Sequence, residues 1–201
     1  NTRKKHTMGS FSASRTTVRG TSNIEGRAVS AGTKAGPGMV STLNGLRPVI
    51  NIVTLNNVVT TTIQIALKGL TSKNDVDDVI GLAAGGAARL IKVTAAETGQ
   101  IFKISMSCTE LPTASSNVGL DIDITSAANV TRAYDFDLSG GATLIAGGGN
   151  WALGKTKEQL VAVPTANHAL YLTTGGTHTG DSVYTAGQLV IVLYGHKLLT
   201  A

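Results

Sequence analysis

The sequence predicts an all-β protein, an antiparallel jelly-roll or β-sandwich body preceded by an extended N-terminal arm. Three observations lead there. From Pro48 onward, short apolar runs alternate with a period of two. Clusters of Gly, Ser, Thr and Asn separate those runs at intervals of roughly ten residues, as in sandwiches and barrels. The first 47 residues, by contrast, hold no sustained period. Composition agrees: 4% of residues are aromatic and 14% charged, a mixture of small and β-branched side chains that suits closely packed sheets.

Residues 1–47 form the arm. Single hydrophobes (Met8, Phe11, Val18, Ile24, Val29) lie scattered among Ser, Thr and Gly. Such a segment buries too little apolar surface to offset its own ordering entropy, yet its hydrophobes suit docking along another subunit. It carries eight Lys/Arg (Arg3, Lys4, Lys5, Arg15, Arg19, Arg27, Lys34, Arg47) against Glu25 alone, a net +7. The rest carries nine Lys/Arg and eleven Asp/Glu, a net −2, so the body is close to neutral.

Residues 48–201 form the body. In "TIQIALK", Ile63, Ile65 and Leu67 point one way and Gln64, Ala66 and Lys68 the other. "FKISMSC" places Phe102, Ile104, Met106 and Cys108 on one face. "GLDIDIT" turns Leu120, Ile122 and Ile124 inward and Asp121, Asp123 and Thr125 outward. "AYDFDL" does the same with Tyr134, Phe136 and Leu138 against Asp135 and Asp137. The last run, "QLVIVLYG", is apolar on both faces and reads as a central strand between two layers. Only "DVDDVIGL" and "KTKEQLV" resemble helices, and both are short. No apolar run approaches the ~20 residues of a membrane helix. The lone Cys108 excludes an intrachain disulfide framework and CxxC metal sites.

One motif invites an enzymatic reading. Gly149 through Gly154, Lys155 and Thr156 matches G-x-x-x-x-G-K-T, the phosphate cradle of P-loop nucleotide enzymes. That cradle opens a helix and works with a magnesium-binding Asp at the end of a second strand. Here only "KEQLVAV" precedes Pro164, and the acids beyond Thr156 are Glu158 and Asp181. We therefore expect no nucleotide site, no cofactor and no enzyme. His6, His168, His178 and His196 are too widely spaced for a helical zinc motif. His178, near Asp181 and Ser182, lacks the nucleophile elbow of a serine hydrolase and is expected in a solvated loop. Asn129-Val130-Thr131 is formally a glycosylation acceptor within an expected turn.

If the strands holding Asp121/Asp123 and Asp135/Asp137 pair as a hairpin, Asp121 opposes Asp137 and Asp123 opposes Asp135. Opposed like charges destabilise a sheet. Bound Ca²⁺, or Lys and Arg from a neighbouring subunit, would relieve them; strands in different sheets would leave the acids solvated. A flat ladder of acids lacks the loop that wraps Ca²⁺, so no metal site is assigned.

The stretches "HALYLTTGGTHTGDSVYTAGQLVIVLYG" (168–195) and "AARLIKVTAAETGQIFKISM" (87–106) resemble the small β-rich virion structural proteins of tailed bacteriophages, particularly those of marine and cyanobacterial phages. The resemblance covers roughly residues 48–195 and is one of texture, so no functional residue is carried over from it. It implies a jelly roll or related sandwich, no enzymatic activity, and assembly as homotrimers in a virion built in the host cytoplasm, without membrane contact. Within that class the expectation is a capsid cement (decoration) protein bound to the major capsid protein or another virion protein. Its arm clamps the shell through Arg3, Lys4, Lys5, Phe11, Arg15, Val18, Arg19, Ile24 and Arg27. The alternatives are a tail or fibre component with the arm as attachment peptide, and a single-jelly-roll coat protein whose arm binds nucleic acid. The sparse charges and the single Phe11 in the arm count against the last.

Overall fold

A computed structural model of the chain describes residues 26–27, 34–40, 45–73, 75–116, 120–160, 167–176 and 180–197. The strands are β1 (Gly26–Arg27), β2 (Val49–Leu55), β3 (Val58–Ala66), β4 (Thr71–Ser72), β5 (Ile91–Lys92), β6 (Gln100–Ala114), β7 (Ile122–Ala127), β8 (Ala142–Ile145), β9 (Thr156–Leu160), β10 (Ala169–Thr174) and β11 (Ser182–His196). The helical element among the described residues is a single 3-10 turn, Pro37–Met39. All pairings between these strands are antiparallel.

One sheet runs β1-β2-β3-β11-β6-β9, with β4 pairing the start of β11; the other runs β5-β10-β7-β8. The chain crosses between the sheets at β4–β5, β5–β6, β6–β7, β8–β9, β9–β10 and β10–β11. The order β3-β11-β6-β9 over β5-β10-β7-β8 is the two-Greek-key order of a jelly roll, with β1 and β2 added at one edge. The expected all-β sandwich is the observed fold.

Local chemistry explains the joints. β2 and β3 meet through Asn56 (φ 48°) and Asn57 (φ 65°), a two-residue turn with both central residues left-handed, for which Asn is favoured. In β11 the ladder to β6 slips near Gly187, whose φ of 124° suits glycine and whose missing Cβ leaves room for Pro112.

Period two placed the inward residues of β3, and those of β6 from Ile104 onward, correctly. Ile63, Ile65, Leu67, Ile104, Met106 and Cys108 are buried in one core with Leu189, Ile191 and Leu193 of β11 and with Ile122, Ile124, Leu170 and Leu172 from the second sheet. Phe102 departs from the prediction. A register shift between Tyr194 and Gly195 leaves it unopposed, and its ring stacks on His196 at 4.5 Å, on the opposite face from Ile104. Neither helix-like run is a helix: residues 75–82 form turns and isolated bridges, and 156–160 are β9. Packing also begins upstream of Pro48. Gly36 and Gly38 donate to the carbonyls of Arg89 and Ala87, and Met39 is buried in the core.

The two sheets treat their second faces differently. β10 is buried at every residue and β7 at all but its last. The 128–141 segment covers that face: the Tyr171 hydroxyl donates to the Asn129 carbonyl (2.7 Å) and accepts from the Arg132 amide (3.2 Å). β11 is central in its sheet but not between two layers, a correction of the sequence reading. Its residues alternate between buried and half-exposed, and Val190, Val192 and Tyr194 face outward in register with Gln64, Thr62 and Thr60 of β3.

Candidate assembly surfaces

The aspartates supply the most distinctive surface of the body. All eight in the chain (Asp75, Asp77, Asp78, Asp121, Asp123, Asp135, Asp137, Asp181) gather around the end of β10 and the start of β7. Thr174 is the hub. Its carbonyl accepts the Asp77 amide (2.9 Å), its hydroxyl accepts the Asp78 amide (3.1 Å), and it donates its own amide to the Asp78 carbonyl (3.0 Å). Next to it, the Gly175 amide donates to the Asp121 carbonyl (2.9 Å). Lys73 bridges Asp181 (3.2 Å) and Asp135 (3.7 Å). Burial pushes the Asp78 carboxyl above its ordinary range; the Asp75 amide opposes the rise, and the charges of Asp135, Asp75 and Asp137 add to it.

The predicted Asp ladder does not form. Asp123 lies opposite Thr173, because β7 has β10 on one edge and β8 on the other and leaves no edge for residues 133–138. That segment is not a strand. Asp135 adopts φ 67°, and the segment instead runs beside 77–79: Asp135 donates to the Val79 carbonyl, Val79 to Phe136, and Leu138 to Asp77. Leu138 is buried as predicted. Phe136 is exposed and carries the Arg132 guanidinium 3.4 Å above its ring centroid. Asp121 and Asp123 do sit on the face opposite Ile122, but Asp123 is covered rather than solvated. Burial raises its carboxyl above the usual range, the Gly147 amide opposes the rise, and Asp121 and Asp77 add to it.

What covers these two acids is the glycine run that leads into and opens the phosphate-loop motif. The Asp123 carboxylate accepts the Gly147 amide (2.7 Å) and Asp121 accepts the Gly149 amide (2.8 Å). Lys155, which in a nucleotide site reaches toward phosphate, donates instead to the carbonyls of Gly147 (2.9 Å), Gly149 (3.0 Å) and Asn150 (3.2 Å). A Cβ at Gly147 would come within 2.3 Å of Asp121, so only glycine permits this approach. Trp151 locks the loop down, donating from Nε1 to the Ile122 carbonyl (2.8 Å) while buried. Thr156 begins β9, not a helix. The loop thus binds its own chain's carboxylates, and those charges would repel a phosphate placed there. Nothing local in the sequence announces this, since the partners lie 24 and 28 residues apart.

The arm contacts expected at Arg3, Lys4, Lys5, Phe11, Arg15, Val18, Arg19 and Ile24 lie outside the described residues, as does His178. Arg27 falls in β1, paired to Ile52 of β2, and β1 is an outer edge strand of the larger sheet. His168 contacts the Ser126 hydroxyl (3.3 Å), and Asn129 closes its turn by accepting from the Thr131 amide and hydroxyl. Among the described residues no group of three or more His, Cys, Asp or Glu converges as a metal site; Asp78 and Asp123 are buried, and the other six aspartates are at least partly exposed. No family model, curated protein or solved structure matches the chain.

Proposed function

We propose that this is a non-catalytic assembly protein, a capsid cement protein of a tailed-phage virion whose basic arm ties its jelly-roll body to neighbouring subunits on the shell. One observation supports the reading above others: the segregation of charge. Residues 1–47 carry a net +7, while every aspartate of the chain lies at one end of the body. An extended basic chain gains affinity from several separated acids, here the six that are at least partly exposed, whereas a point ion needs convergent ligands. A tether anchored in β1 and docking on a neighbour also raises the effective concentration of each contact. The resemblance of residues 48–195 to phage virion proteins supplies the setting.

The test removes residues 1–25, leaving β1 in place. The truncated body is expected to fold and to lose binding to shells stripped of the protein. Full-length binding is expected to weaken with salt without vanishing, because apolar docking is not screened. Truncated body that binds as tightly as full length would overturn the clamp. Copy number then separates locations: hundreds per particle for cement, tens or fewer for a fibre. Strong retardation of RNA or DNA by the isolated arm at physiological salt would favour the coat-protein alternative.

A further inference from the structure

We propose that the open face of β2-β3-β11-β6-β9 is the surface on which a second copy of this chain packs. The proposal deepens the assembly reading and rests on it. Its readout is on the isolated protein, so failure of self-association and failure of shell binding are distinguishable.

The face is built from small β-branched and hydroxyl side chains. Across its middle, Asn51, Thr62, Val192, Ser105 and Glu158 stand in register, with Val53, Thr60, Tyr194, Lys103 and Leu160 beside them. Its apolar rim is well exposed: Leu160 at 78%, Val49 at 62% and Leu55 at 59%. Short side chains make such a face flat enough for sheets to stack about 10 Å apart, the spacing of sandwich cores. β11 already has the composition of a strand covered on both sides, and a second copy supplies the missing layer.

Charge selects the occupant. The two formal charges in these rows, Lys103 and Glu158, neutralise each other at 2.8 Å. Two copies therefore meet here without like-charge repulsion, which the aspartate end would impose. The chain's own upstream segment is a poorer fit, since residues 1–25 carry Arg3, Lys4, Lys5, Arg15 and Arg19 against Glu25, and the two central rows offer no spare acid; the unpaired Glu110 lies beyond them, opposite Gln188. Area agrees as well. Five strands about 4.8 Å apart, paired over roughly seven residues at about 3.4 Å each, give a footprint near 600 Å² per copy. Two such footprints total about 1,200 Å², the lower bound for a stable specific interface.

The experiment is sedimentation velocity with light scattering on full-length protein up to about 100 µM, comparing it with Val192→Lys and Leu153→Lys. The unaltered chain is expected as a dimer or trimer. Val192→Lys, at the centre of the face, is expected to weaken association at least tenfold with an unchanged circular dichroism spectrum. Leu153→Lys, an exposed apolar residue in the glycine loop, is expected to change nothing. Should Val192→Lys fail to fold, Thr62→Lys on the neighbouring strand makes the same test. A monomeric unaltered chain, an oligomer indifferent to these substitutions, or association that appears only once residues 1–25 are removed would each overturn the proposal. The last outcome would mean that the chain's own arm covers the face.

Discussion

β10 and β11 are consecutive strands, both apolar in sequence, and they sit in opposite circumstances. β10 is buried along both faces: Leu170 and Leu172 in the common core, Tyr171 under the 128–141 segment and Thr173 against Thr125. β11 is buried along one face only, with Val190 and Val192 left half-exposed beside Thr62 and Ser105. A covered second face demands internal partners for every polar group. Thr125 and Thr173 meet that demand with a buried hydroxyl pair at 2.8 Å, and Asp123 with the Gly147 amide. An open face makes no such demand, and its hydroxyls can turn to water or to another molecule. The same apolar pattern thus marks a finished layer in one sheet and an unfinished one in the other.

The largest effect should come from adjacent residues of β11. Ile191→Ala removes a fully buried side chain and is expected to destabilise by about 2–5 kcal/mol. Val192→Ala, on the outward face, is expected to cost under about 1 kcal/mol in dilute protein. Denaturant unfolding of both variants checks this, and equal losses would show that the outer face is as well packed as the inner one.

A middle-sized effect tests the covered face of the smaller sheet. Thr125→Val alone strands the Thr173 hydroxyl in a buried site and is expected to cost about 1–3 kcal/mol. Adding Thr173→Val removes the orphan and should restore most of that loss. A double-mutant cycle with no coupling would mean that this face is wetter than β10 implies.

The smallest effect concerns Asp123. Its carboxyl titrates above the unfolded value because it is buried, so the native state binds its proton more tightly than the unfolded chain. Its contribution therefore rises as pH falls from neutrality through the raised value, and it levels off below the ordinary carboxylate range. Asp123→Asn, which retains an acceptor for Gly147, is expected to melt higher than the parent at neutral pH and to lose part of the gain on acidification. Parallel melting curves for both proteins between pH 7 and 4 would rule this out.

Much of the body was legible because period two is a local consequence of strand geometry. It identified the inward residues of β3, those of β6 from Ile104 onward, and the alternation of Ile122 and Ile124 with Asp121 and Asp123, but not the bulge that turns Phe102 outward. It failed at 131–138, where "AYDFDL" alternates like a strand but Asp135 turns left-handed and the segment pairs with 77–79. No window of sequence reveals that both edges of β7 are already taken. The candidate surfaces were less legible still. The sequence showed an Asp pair, a glycine run and a lysine, but not that the glycine amides hold the acids while Lys155 holds the carbonyls.

By itself, then, the sequence determined the all-β class, the concentration of positive charge in residues 1–47, and the inward side chains of β3 and of β6 from Ile104 onward. These are properties of composition and of a two-residue repeat, and both act within a few residues. Only the tertiary structure decided the jelly-roll strand order, the gathering of eight aspartates from four separate stretches at one end, and the open second face of β11. Those depend on which distant segment reaches a given strand edge or face first, a competition between long-range partners that no local pattern records.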